Sequence, residues 1–239
     1  MSTVNSNSAD SAAISGFLAG SFPDLSRALW RRAGSHFAAA GRWAESAEAR
    51  LAAGDLQAAA EAFREAGDPA RLTPLLLAMG DLEGALKSSS KWLAELARDD
   101  ERREREEVAA RLYRAAALNR SRETLRARRH YLAARRRLVR KPAPDPARLG
   151  EEWEALGRYG ALVKRPDLVR LGYEKALAVY GRTFNYKRLN CARAYLAEVA
   201  DDPLLVRDLQ ERIAAWQPRS ALSREREKLF AALDRWSDE

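Results

Sequence analysis

Residues 41–81 read GRWAESAEARLAAGDLQAAAEAFREAGDPARLTPLLLAMGD. Gly41, Gly54, Gly67 and Gly80 stand 13 residues apart, and aspartate follows three of them, as Asp55, Asp68 and Asp81. Glycine ends a helix because it takes the left-handed conformation at the C′ position without a Cβ clash. Aspartate starts one because its carboxylate accepts backbone N–H groups of the first turn. Each Gly-Asp pair thus predicts a helix end beside a helix start, with one short helix in each block. Pro69 falls at the first helical position, where the missing N–H is harmless. Pro74 lies inside its block and predicts a kink or a late start.

The blocks share an internal pattern. Trp43, Leu56 and Leu82 hold the same slot after the break, with Pro69 the exception. Ala47 aligns with Ala60, and Ala49 with Ala62, so small side chains recur where neighbouring helices would meet. Trp43, Leu51, Phe63 and Leu75-Leu76-Leu77 supply the larger core groups. Helices this short do not persist alone in water and must stack on one another.

The whole chain agrees with a helical reading. It has 239 residues, 46% of them hydrophobic, enough to bury a core. Alanine, leucine, arginine and glutamate dominate, and all are good helix formers. No segment alternates apolar and polar residues over strand length, so little or no sheet is expected. A single cysteine, Cys191, rules out an internal disulfide and fits a reducing compartment. The polar start, Met1 to Asp10, has no basic residue before the short apolar stretch Ala12–Ala19, which argues against a secretory signal. With no apolar run of membrane-spanning length, the expectation is a soluble, cytoplasmic protein. The net charge of +8 leans towards acidic partners.

Residues 25–96, through AAGDLQAAAEAFREAGD (52–68) and AMGDLEGALK (78–87), resemble helical repeats of the tetratricopeptide-like superfamily. The phrases look like the degenerate solenoids joined to β-propellers in coat and transport scaffolds. The pair period of 26 residues is shorter than the roughly 34 of the tetratricopeptide motif. The resemblance therefore reaches the superfamily only. It implies an α-solenoid of antiparallel hairpins that assembles larger complexes, with a propeller protein or an ATPase subunit as expected partner.

From Asp99 to Lys141 there is neither proline nor glycine. This predicts one long charged central helix, or two joined near Asn119, stopped by Pro142 and Pro144. The segment opens with a mixed-charge stretch suited to i, i+4 pairs, and Asp99 and Asp100 suit the start of a helix. Leu118, Leu125, Leu132 and Val139 recur every seventh residue. Such a narrow apolar seam fits a groove or a partner helix. Arg120 to Lys141 holds ten basic residues and one acid, Glu123, a local charge of +9. Three readings of this excess stand side by side: a solvated face, a dock for an acidic protein surface, or a site for nucleic acid or an anionic membrane surface. The candidate partner-binding residues are Arg126, Arg128, Arg129, Arg135, Arg136, Arg137, Arg140 and Lys141. For nucleic acid, basic residues would release counterions from phosphates. Against it, Tyr131 is the one interleaved aromatic, and no recognised binding motif surrounds it.

After the Pro142-Ala143-Pro144 linker, Asp145-Pro146 reads as a new N-cap and first helical residue. Trp153, Leu156 and Gly157 keep the spacing of the first tetratricopeptide helix, and Tyr173, Ala176 and Leu177 that of the second. The departures are Gly160 for an aromatic, Val169 for a small alanine and Gly181 for the closing proline. Further helices are predicted over Thr183–Val199, with Phe184, Tyr186, Leu189, Ala192 and Tyr195 on one face, and over Asp202–Trp216, with Leu204, Leu205, Leu209, Ile213 and Trp216. A last helix, Ser220–Trp236, reads either as a cap or as a detachable docking helix. The expected organisation is a disordered or weakly helical segment (1–22), a short-period array (23–97), the charged helix (98–141) and a tetratricopeptide-like array (142–239).

Chemistry is sparse. His36 and His130 lie far apart, without zinc-site spacing. No phosphate-cradling loop or nucleophile elbow occurs. Cys191 reads as a small buried hydrophobe, and Gly157, Gly160 and Gly172 as packing residues. The expectation is a non-enzymatic scaffold or adaptor without a cofactor, the alternative a nucleic-acid-associated helical protein using residues 120–141.

Overall fold

The computed structural model describes residues 26–140, 142–181 and 184–216. Among them it contains eleven α-helices and no strand, so the chain is all-α. The expectations for residues 1–22, for Lys141 and for a helix at Ser220–Trp236 lie outside the described residues. The chain divides into two compact units between Ala143 and Pro144.

The first unit holds α1 (Ser26–Ala39), α2 (Trp43–Ala52), α3 (Leu56–Glu65), α4 (Pro69–Met79), α5 (Leu82–Leu96), α6 (Asp100–Arg120) and α7 (Thr124–Arg140). Each helix packs on the next, and α4 also touches α6. The glycine comb sits at the breaks. Gly41, Gly54, Gly67 and Gly80 have φ between 65° and 81°. At each, the glycine N–H and the following N–H reach back to two carbonyls of the ending helix. At Gly54 these bonds run to Leu51 O and, from Asp55 N, to Arg50 O, both 2.9 Å. This paired pattern satisfies carbonyls that the helix end would leave bare. Asp55, Asp68 and Asp81 then cap the following helices, accepting from Ala58 N, from Ala70 N and Arg71 N, and from Gly84 N. Arg42, which has no carboxylate to offer, lies over the Phe37 ring and pairs with Glu45 at 2.9 Å.

The aligned alanines are core. Ala47, Ala49, Ala60 and Ala62 are buried, as are Phe63, Leu75, Leu76 and Leu77. Leu56 is an exception at 42% exposed. Helix α4 runs through Pro74 without a break. Thr73 Oγ1 donates to Pro69 O at 2.7 Å and lies 2.9 Å from Ser88 Oγ, so these buried hydroxyls satisfy each other and the backbone.

Of the two readings of residues 99–141, the single long charged helix is corrected, and the pair joined near Asn119 is what the structure has. Helix α6 ends at Arg120 and α7 begins at Thr124. Arg122 takes φ 64°, and Arg122 N and Glu123 N bond to Asn119 O and Leu118 O at 3.1 and 2.9 Å. This is the same break as in the comb, without a glycine. The physical reason is tertiary. The second half of α6 buries Val108, Leu112, Tyr113 and Ala115–Leu118, and α7 packs against this helix. Helix α5 already covers part of this surface, with Trp92 stacked on Tyr113. An uninterrupted helix would leave the part that α7 covers in water.

The second unit holds α8 (Pro146–Leu162), α9 (Pro166–Tyr180), α10 (Asn185–Glu198) and α11 (Pro203–Trp216), again packed in order, with α8 also meeting α10. Asp145 caps α8 by accepting from Ala147 N and Arg148 N, and Asp202 Oδ1 accepts from Leu205 N at 3.2 Å. Helices α8 and α9 meet along glycines. A Cβ on Gly172 would lie 2.2 Å from Gly157 N, and one on Gly150 would lie 2.2 Å from the Tyr180 ring. Tyr173, Tyr180, Cys191, Ala192, Tyr195 and Leu209 form the core behind them. Two sequence assignments to this core are wrong: Tyr186 is 78% and Leu204 82% exposed. Leu205, Ile213 and Trp216 pack against the core as expected.

Candidate functional site

The basic excess lies mostly on α7. Between Thr124 and Arg140 there are seven arginines and no acid. Two of the candidate arginines are already engaged. Arg126 pairs with Glu123 at 2.7 Å. Arg137 is half-buried, donates from Nη2 to Glu104 O at 3.1 Å and sits 3.7 Å from the Glu107 carboxylate. Arg137 therefore ties α7 to α6, which removes it from the partner-binding set. Arg128, Arg129, Arg135, Arg136 and Arg140 are exposed, and no ion pair to any of them occurs among the described residues.

The inner face of α7 is fixed. Ala127, Ala134 and Leu138 are buried. His130 is half-buried, and its Nδ1 has no hydrogen-bond partner among the described residues. Burial pushes its imidazole below the ordinary value, and the cations Arg111, Arg114 and Arg126 push the same way. Arg114 and Arg120 are ties too: Arg114 donates to Leu86 O and to Ser89 Oγ, and Arg120 Nη1 to Leu77 O at 2.7 Å. Sequence reasoning groups such residues with a charged surface, because a lone arginine carries no mark of the carbonyl it will meet.

The heptad seam is split. Leu118 is 1% exposed, on α6, whereas Leu125, Leu132 and Val139 on α7 are 75%, 42% and 63% exposed. The turn at Ser121–Glu123 changes the direction of the chain, so the row does not continue across it. An apolar row thus lies in solvent among the unpaired arginines.

A second surface lies between α3, α4 and α5. A groove of about 260 Å³ has Phe63, Leu72 and Leu76 in its wall and Arg64, Lys87 and Lys91 beside them. Its cations are partly used: Arg64 is 3.9 Å from Asp81, and Lys91 3.9 Å from Glu95.

In the second unit, polar groups cluster around Glu154, which accepts from Tyr180 Oη at 2.7 Å and pairs with Arg158 at 3.1 Å. Cys191 is buried, and burial pushes its thiol far above the ordinary value. A nucleophilic cysteine needs the opposite environment. Among the described residues, no group of three or more His, Cys, Asp or Glu is placed to hold a metal ion, and no helix is long and apolar enough to cross a membrane. Comparison with protein-family models, with curated proteins and with solved structures finds no match to this chain.

Proposed function

We propose that this chain is a non-enzymatic scaffold or adaptor subunit, a tetratricopeptide-like α-solenoid that docks an acidic protein partner on the outer face of α7. Support for the solenoid comes from helices that, within each unit, pack in chain order across breaks of two to four residues. Nearest-neighbour stacking of this kind leaves long faces open to partners. The observation that carries the function is the set Arg128, Arg129, Arg135, Arg136 and Arg140, exposed, in no ion pair among the described residues and on a helix with no acid of its own. Cations held apart from counter-charges in one surface raise the local concentration of acidic partners and speed their encounter.

The experiment is affinity purification of the tagged full chain from its native cell, in parallel with a variant carrying Arg128→Glu, Arg129→Glu, Arg135→Glu and Arg136→Glu. These residues are exposed, so circular dichroism should match the parent. The expected result is a specific co-purifying protein that the variant loses. Equal recovery by both removes α7 from the function. Nucleic acid accounts for the arginines but leaves Leu125, Leu132 and Val139 facing phosphates, so it is the weaker reading. It predicts filter retention of DNA or RNA that falls steeply with salt.

A further inference from the structure

We infer that the element seated on α7 is itself an α-helix, with an apolar residue at every seventh position and glutamate or aspartate on both flanks of that row. This rests on the scaffold reading above and names the partner's chemistry. Both features of α7 repeat together: Leu125 is followed at three and four residues by Arg128 and Arg129, and Leu132 in the same way by Arg135 and Arg136, before Val139 and Arg140. At about 100° per residue, Leu125, Leu132 and Val139 span an arc of only about 40°. Arg129, Arg136 and Arg140 fall on one side of that arc, and Arg128 and Arg135 on the other. Successive units of the repeat are about 10.5 Å apart along the axis.

The face is presented rigidly. Ala127, Ala134 and Leu138 are buried on the opposite side, and Arg137 is held at Glu104 O and Glu107. Helix α7 therefore meets a partner with the apolar row outward. A helix with the same seven-residue period places apolar side chains against Leu125, Leu132 and Val139, and carboxylates against the flanking guanidiniums, at every repeat. A lipid surface has no period to match. It also favours a broad apolar face rich in aromatics, where α7 offers three aliphatic side chains in a narrow arc. A second copy of this face would set arginine against arginine.

The test uses the full chain and synthetic peptides. One peptide of several heptads carries Leu at the first position of each and Glu at the positions flanking it. The second has the same composition with the period scrambled, and the third has Lys in place of Glu. Fluorescence anisotropy should show the Glu heptad peptide binding at least about tenfold tighter than the scrambled one. Leu132→Asp should weaken it about tenfold, and Arg129→Glu with Arg136→Glu should turn the preference towards the Lys peptide. Equal binding of ordered and scrambled peptides overturns the inference. So does preferential binding to phosphatidylserine vesicles, or self-association that Leu132→Asp abolishes. The two readings fail differently with the native partner. If charge reversal loses it and Leu132→Asp keeps it, helix pairing falls and the scaffold stands. If neither variant changes recovery, the docking role of α7 falls with it.

Discussion

Among the described residues, the first unit places four of its glycines at helix ends and only Gly34 and Gly84 inside helices, whereas the second places four inside helices and only Gly181 at an end. Gly54, Gly67 and Gly80 hold left-handed φ, and a Cβ added to any of them would meet nothing within 4 Å. What they supply is backbone conformation. Gly150, Gly157, Gly160 and Gly172 lie inside α8 and α9, where an added Cβ would come 2.2–2.7 Å from a neighbouring backbone or ring atom. What they supply is the missing side chain. The two uses of one residue type also separate the packing styles. Alanine lines the helix contacts of the first unit, whereas in the second whole tyrosine rings lie on glycine: Tyr180 over Gly150 and Tyr173 over Gly157. The stacked pair Tyr173 and Tyr195, 5.0 Å apart, extends that layer to α10.

The sharpest way to break this distinction is Gly172→Ala. The nearest atoms to the new methyl are the backbone of Gly157 and the carbonyl oxygen of Trp153. Neither is the end of a flexible side chain, so relief requires α8 and α9 to separate. The expected cost is about 3 kcal/mol or more, at the upper end for overpacking. Chemical denaturation followed by tryptophan fluorescence and circular dichroism would measure it. A loss under about 1 kcal/mol would mean that the helix pair is loosely packed and that the glycine contact is incidental.

Gly67→Ala should cost less, about 1 kcal/mol, although Gly67 lies in the more regular array. The methyl enters open space, so the penalty is the left-handed backbone alone, partly offset by a stiffer unfolded chain. Removing the adjacent cap with Asp68→Ala should cost a similar amount, because Ala70 N and Arg71 N lose their acceptor. Thermal unfolding of both single variants would check the equality. A Gly67→Ala cost matching that of Gly172→Ala would erase the distinction between the two uses.

These differences explain what is readable in the chain. Glycine at a helix end and aspartate at a helix start act through their own backbone and a neighbouring N–H, so the comb from Gly41 to Gly80 is visible without tertiary information. The break at Ser121–Glu123 is legible only as the alternative of two helices joined near Asn119, because arginine carries no turn signal at Arg122 itself. The candidate surface divides the same way. The charge excess of α7 and the spacing of Leu125, Leu132 and Val139 are sequence properties. The withdrawal of Arg137 into a tie with Glu104 O is set by which residues of α6 face α7 after the reversal, and that is not a sequence property. In the second unit, Tyr186 and Leu204 look like core by periodicity. From the same predicted face the core takes Ala192 and Tyr195, with Cys191 beside them as expected, and the Tyr195 ring stacks on Tyr173.

The smallest expected effect joins the two units, since one break of the comb type occurs in each without glycine. Arg122 has φ 64° and Lys164 φ 56°. Lys164 N and Arg165 N bond to Ala161 O and Gly160 O at 3.1 and 2.8 Å, repeating the pattern at Gly54. If these breaks are imposed by the packing of the helices they join, each side chain sits in a strained backbone region for want of a glycine. Arg122→Gly and Lys164→Gly should then each stabilise the protein by about 0.5–1 kcal/mol, the relief of left-handed strain less the entropy that glycine adds to the unfolded chain. Both side chains are exposed, so little packing is lost. The double variant should be additive, since the sites fall in separate units. A gain at Arg122 with none at Lys164 would show that the second unit relaxes its break by another route, and that the two units differ in how firmly packing dictates a turn.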